Sequence, residues 1–185
     1  MDIEQFNIAV NSLIRNVITD MPVINARLAQ SGLSLIQDRI LNDGIDGKKY
    51  STNLLPTYFF TGKSISAGGD AKVKAKNKAN KYKGVSYTDF RDANNLQTNH
   101  VDLRLSGDMW RDMAVIENSG PGLRNTTVAG SKNSITYPDG QKTGDVVGYL
   151  GDRYGDFLTP TKQEETILDN ALDEELQQLI NQYFT

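Results

Sequence analysis

The sequence has no cysteine and only one histidine and one tryptophan among its 185 residues. Without cysteine, disulfides and thiolate metal sites are impossible, and folding needs no oxidising compartment. With a single histidine, His100, the usual zinc ligand sets are out of reach without carboxylate help. Long apolar runs are missing too. No stretch reaches 18 consecutive apolar residues, so no membrane-spanning helix is expected. The first residues, Met1 to Phe6, hold Asp2 and Glu4 and no basic cluster, so they do not read as a signal peptide. Hydrophobic residues make up only 38%, low for a compact domain of this length. We therefore expect surfaces or arms that are covered only in an assembly. The length itself suits a single domain over residues 1–185.

Charge is present but unevenly placed. Residues 71–83 carry Lys72, Lys74, Lys76, Lys78, Lys81 and Lys83 and no acid, a local +6. The whole chain is −3, which leaves −9 elsewhere. From Thr161 to the end one lysine faces six acids: Glu164, Glu165, Asp169, Asp173, Glu174 and Glu175. Opposite charge segments in one chain suit head-to-tail pairing of copies, because complementary potentials steer and orient association. Two solvated surfaces are the plainer explanation of the same charges.

Apolar spacing gives the elements. Ile3, Phe6, Val10, Leu13 and Val17 recur at three and four residues, with Ile14 and Ile18 widening the stripe. This predicts an N-terminal helix of about two heptads, ended or restarted at Pro22. A second helix is expected from about Pro22 to Asn42, stopped at Asp43-Gly44. Residues 62–84 are rich in glycine and lysine. Their alternating lysines fit one side of an extended strand, so an arm or long loop is expected there. Val101, Leu103 and Leu105 alternate with polar residues as a half-buried strand would. Asp108 caps a short helix through Trp110 and Met113. Ala114–Ile116, Thr126–Val128, Ser134–Tyr137 and Val146–Leu150 are short strand candidates, with a turn at Pro138-Asp139-Gly140. Thr161-Lys162-Gln163-Glu164 is a capping box that opens a final helix with Leu168, Leu172, Leu176 and Leu179 on its stripe. The fold class is α+β: N-terminal helices, a central antiparallel β-rich region with a long Lys-rich arm, and a C-terminal helix.

Chemistry is scarce in this pattern. Thr61-Gly62-Lys63-Ser64 ends like a phosphate-binding loop, but the earlier glycine would fall at position 57, which is Thr57. Asp43 and Asp46 lack the other ligands of a calcium loop. No serine–histidine–carboxylate set is specified. We therefore expect no catalytic, cofactor-binding or metal-binding residues, and no enzyme. The lysine segment, with Tyr82 and Tyr87 nearby, offers phosphates a basic partner and bases a stacking surface. That is the alternative: a nucleic-acid-binding accessory module using Lys72–Lys83. Trp110 is a core residue, or an interface anchor if exposed.

Several segments together resemble the Mu-like virion morphogenesis and tail-completion proteins of tailed bacteriophages. They are Gln37-Asp38-Arg39-Ile40 with Gly44-Ile45-Asp46-Gly47-Lys48-Lys49-Tyr50-Ser51, then Tyr87-Thr88-Asp89-Phe90-Arg91. Val101-Asp102-Leu103-Arg104-Leu105-Ser106-Gly107-Asp108-Met109-Trp110 follows, and Tyr154-Gly155-Asp156-Phe157-Leu158 precedes the last helix. The likeness lies in the order and spacing of these pieces. In two places the chain departs from the pattern. Arg153-Tyr154-Gly155-Asp156 replaces an aromatic-Arg-Pro, and the lysine segment is longer. The resemblance implies a non-enzymatic structural protein of the virion neck or tail, assembled in the host cytoplasm. It implies a homo-oligomeric ring touching portal, adaptor or tail proteins around the DNA channel, with non-specific DNA contact there and no membrane. Lys72, Lys74, Lys76, Lys78, Lys81, Lys83, Trp110, Glu164, Glu165, Asp169, Asp173, Glu174 and Glu175 are the candidate subunit contacts.

Overall fold

A computed structural model describes residues 2–104, 106–137 and 139–184. The order of elements is α1 (Ile3–Asn42), a 3-10 turn (Thr57–Phe59), α2 (Gly69–Ala79), α3 (Tyr87–Ala93), α4 (Asp108–Asp112) and β1 (Met113–Ser119). A second 3-10 turn (Gly122–Arg124), β2 (Thr126–Ser131), α5 (Thr143–Tyr154) and α6 (Lys162–Phe184) complete it. The fold is α+β and mostly helical. Its one sheet among the described residues is the antiparallel pair β1–β2, running from Met113↔Ser131 to Ser119↔Thr126 with a bulge between Val115 and Glu117.

The chain forms two compact units. One holds residues 38–110, the other residues 1–37 with 111–185. In the 38–110 unit Phe60, Val73, Val85, Phe90 and Ala93 form a buried cluster with Tyr87 against it. Phe60 and Phe90 stack with ring centroids 5.0 Å apart. In the other unit Ile24, Leu33, Ile36, Met113 and Phe157 are buried. There α6 lies along α1 in the opposite direction. The Phe6 and Phe184 rings are 5.8 Å apart, Arg27 pairs with Glu175 at 3.0 Å, and a side chain on Gly32 would touch Leu168.

Some expectations give way. Pro22 lies inside α1 and does not divide it. It removes one hydrogen bond to Ile18, a cost of about 3 kcal/mol, but Ile24 just beyond is buried and holds the helix on its course. The lysine segment is no extended arm. Residues 69–79 are helical, because alanine and lysine are strong helix formers and Gly69 and Val73 share one buried face. Val146–Leu150 belongs to helix α5, whose first turn is closed by Asp145 accepting from the Lys142 N–H at 2.9 Å. Residues 101–104 form no strand, and Ser134–Tyr137 keeps only an isolated bridge from Thr136 to Lys142. Leu105, and Pro138 of the turn expected at 138–140, lie outside the described residues. The strands at 114–116 and 126–128 and the Thr161 capping box form as expected, whereas the short helix expected to run from Asp108 through Met113 ends at Asp112 and Met113 opens β1. The Glu164 carboxylate accepts from Thr161 N at 2.7 Å and Glu164 N donates to Thr161 Oγ1 at 3.3 Å.

Candidate functional site

The candidate contact residues divide into engaged and open groups once they are placed. On α2, successive lysines at every second position fall on two flanks, since each residue turns the helix by about 100°. Lys72 and Lys76 share one flank and are engaged. Lys72 Nζ donates to Asn95 Oδ1 at 2.9 Å. Lys76 pairs with Asp92 at 2.8 Å and reaches Asp89 at 3.8 Å. Its pKa is raised, chiefly by the hydrogen bond to Asp92. Lys74 and Lys78 share the other flank, and Lys81 and Lys83 follow in the next turn. These four are exposed and have no ion-pair partner among the described residues. A groove of about 500 Å³ runs beside the engaged flank, floored by Ala75, Ala79 and Ala93 and rimmed by Lys72, Lys76 and Asp92.

The acidic helix divides in the same way. Glu164 is buried in its capping box and Glu175 is tied to Arg27. Both are engaged within their own unit. Glu165, Asp169, Asp173 and Glu174 remain exposed. Trp110 is also no anchor. It is buried, and among the described residues its indole N–H has no hydrogen-bond partner.

The 38–110 unit has a feature that spacing alone did not reveal. Arg91 on α3 is 1% exposed and sits at the centre of a closed polar network. One guanidinium nitrogen, NH2, donates to both carboxylate oxygens of Asp102 at 2.9 Å. The Nε–H donates to Gln97 O at 2.8 Å and NH1 to Arg104 O at 2.6 Å. The guanidinium lies 4.2 Å over the Tyr50 ring. Tyr50 donates its hydroxyl to Asp102 at 2.6 Å and accepts from Asp102 N at 3.0 Å. Burial, then donation to Asp102, raise the Tyr50 pKa. Tyr50, Arg91 and Asp102 come from three of the segments that carry the family-like pattern. Asp102 sat on the polar side of an expected strand. It is buried because Arg91 meets it.

His100 is half-buried, with Nε2 3.1 Å from the Leu41 carbonyl. Its ring leaves no room for a side chain at Gly44, whose φ of +83° also favours glycine. This explains the first glycine of the Gly44-Ile45-Asp46-Gly47 turn. Among the described residues no three histidine or acidic side chains gather as metal ligands. No described helix is long and apolar enough to cross a membrane. In the other unit Asp112 is a second buried aspartate. It accepts from Ser131 Oγ at 2.6 Å, from Ser134 N at 3.1 Å and from the Ser134 hydroxyl.

No family model matches this chain, and neither the curated proteins nor the solved structures hold a match to it.

Proposed function

We propose that this chain is a structural subunit of a tailed-phage virion, part of a ring at the head–tail junction or tail end, that works by joining neighbouring copies. The observation that carries the assembly part is uncovered surface. The chain exposes 11742 Å² at 20.5 kDa, where a compact monomer of that mass exposes roughly 8,900 Å². Even two pieces the size of the two units, folded separately, would expose only about 10,600 Å². Large hydrophobic side chains such as Ile3, Ile8, Tyr58 and Leu123 are among the exposed residues, and contiguous apolar surface marks sites that a partner covers. The open lysines of α2 and the open acids of α6 add complementary charge for head-to-tail contact.

The head–tail location rests on the resemblance of the ordered segments. It is supported by the way Tyr50, Arg91 and Asp102 from three of them meet in one buried network. Two measurements test the reading: the native mass of the purified chain, alone and with portal or adaptor, and cryo-EM of the virions. We expect a ring of fixed copy number. Absence of the chain from neck and tail would overturn it.

A second reading has its own observation. Tyr58 and Phe59 stack at 4.6 Å and are exposed, and Tyr82 is 73% exposed beside Lys81 and Lys83. Exposed aromatics with free lysines are the equipment of single-strand binding, with stacking worth about 1–3 kcal/mol per base. This reading predicts salt-sensitive binding of a single-stranded oligonucleotide that is lost when Lys74, Lys78, Lys81 and Lys83 become glutamine. Negligible binding at low salt rejects it.

A further inference from the structure

The turn that follows α2 holds two side chains in a conformation that only glycine adopts freely. Lys81 and Tyr82 have φ of +54° and +63°, in the left-handed region that crowds Cβ against the backbone. Part of this is ordinary helix ending. Lys81 N–H donates to the Lys78 carbonyl at 3.0 Å and Tyr82 N–H to the Asn77 carbonyl at 2.8 Å. A helix end of this kind places one left-handed residue, usually glycine, just past the helix. Lys81 fills that place. Tyr82 repeats the left-handed step, which the helix end does not require. Hydrogen bonds on both sides hold the turn. Lys83 N–H donates to the Asn80 carbonyl at 3.2 Å, Asn80 Nδ2 to the Gly84 carbonyl at 3.0 Å and Gly84 N–H to Asn77 Oδ1 at 3.0 Å. Gly84 lies so close to the Leu55 backbone that a Cβ there would sit 2.4 Å from the Leu55 oxygen. What this turn carries outward is an aromatic ring. Tyr82 is 73% exposed, with Lys81 and Lys83 exposed on either side. Backbone strain held in place by its surroundings gathers where a ligand is bound.

The same unit brings a second exposed aromatic group near this turn. Leu55 and Val85 form an antiparallel bridge, their N–H groups donating to each other's carbonyls at 3.0 and 2.9 Å. Tyr58 stands three residues after Leu55 and Tyr82 three before Val85, so each lies within ~11 Å of its end of the bridge. Tyr58 stacks on Phe59, and both are exposed. We infer that Tyr82 is the base-stacking residue of a site for a single-stranded polynucleotide, with Lys81 and Lys83 on the flanking phosphates and the Tyr58–Phe59 stack under a neighbouring base. A ring between two cations matches that partner, because every base offers a flat face and every nucleotide a phosphate beside it. DNA and RNA strands present the same faces and phosphates, so the site takes either, whereas a duplex keeps its base faces stacked inside. A ring already fixed by its backbone needs little further ordering when it binds. The inference rests on the single-strand reading above and assigns the stacking to one residue.

Fluorescence anisotropy of labelled oligo(dT) and oligo(U) of about 12 nucleotides, titrated with the full chain, tests this. Both should bind more tightly than a duplex of equal length at the same salt. Tyr82→Ala should weaken single-strand binding about tenfold and leave its salt slope unchanged, because the ring neutralises no phosphate. Tyr82→Phe should bind like the parent chain. Tyr82→Gly controls for folding. Glycine takes the left-handed backbone without strain, so this variant should melt no lower than the parent and yet bind as weakly as Tyr82→Ala. A lower melting temperature for Tyr82→Gly would show that the ring holds the fold, and overturns the inference. Equal binding of single strand and duplex overturns it as well. So does a Tyr82→Ala chain that loses self-association and keeps its oligonucleotide binding, which assigns the turn to a contact between copies. Salt-sensitive binding that Tyr82→Ala leaves unchanged removes the role of Tyr82 and keeps the single-strand reading. Negligible binding by the parent chain at low salt removes both.

Discussion

Two aspartates ten positions apart are both buried, and the two units satisfy their carboxylates by different means. Asp102, in the 38–110 unit, has a cation. Arg91 grips both its oxygens, while Tyr50 and the Arg104 N–H complete the shell. Asp112, in the other unit, has no cation among its contacts with the described residues. Burial pushes its pKa up, but hydrogen bonds from Ser131, Ser134 and Thr143 outweigh burial and bring it down to about 2. Its charge in turn adds to burial in raising the pKa of Tyr137. The first device is a single charge pair joining three distant segments. The second is a set of neutral donors pinning the loop between β2 and α5. A pair fails when either member is removed, whereas a set of donors weakens in steps.

The largest expected effect attacks the pair. Arg91→Met leaves Asp102 buried and uncompensated and should cost about 3–5 kcal/mol. Denaturant unfolding should then show that adding Asp102→Leu recovers most of the loss. If the double variant is as unstable as the single one, the network is not the source of the effect. Asp112→Ala comes next. It orphans several hydroxyl and amide donors and should cost about 2–3 kcal/mol by the same measurement.

The pH dependence of stability separates the two devices further. The folded pKa of Asp112 is depressed to about 2. Its contribution is therefore complete above the ordinary aspartate value near 4 and is lost as pH falls from about 4 through 2. Unfolding midpoints taken across that window should drop less steeply in Asp112→Asn than in the parent chain. Ser131→Ala should have a smaller effect, about 1 kcal/mol, since it removes one donor of several. A loss as large as that of Asp112→Ala would show that the set acts as a unit. Smallest of all, Lys74→Glu should shift stability by no more than about 0.5 kcal/mol, yet weaken association with copies whose α6 acids are intact.

The sequence by itself determined what neighbours along the chain decide. The α1 stripe, the Asp108 helix start, the Thr161–Glu164 capping box with its leucine stripe and the two β-strands all rest on residues within a few positions of one another. The tertiary structure decided the rest, because the deciding partners are distant in sequence. Residues 69–79 are helical because Val73 has a buried site beside Val85 and Phe90. Pro22 is absorbed because Ile24 is buried. Asp102 is buried because Arg91 lies 11 positions away and Tyr50 lies 52. Lys72, Lys76 and Glu175 left the set of open charges when Asn95, Asp92 and Arg27 came within reach. A one-dimensional pattern shows which side chains are polar or charged. Only the fold pairs some of them and leaves the others for a partner.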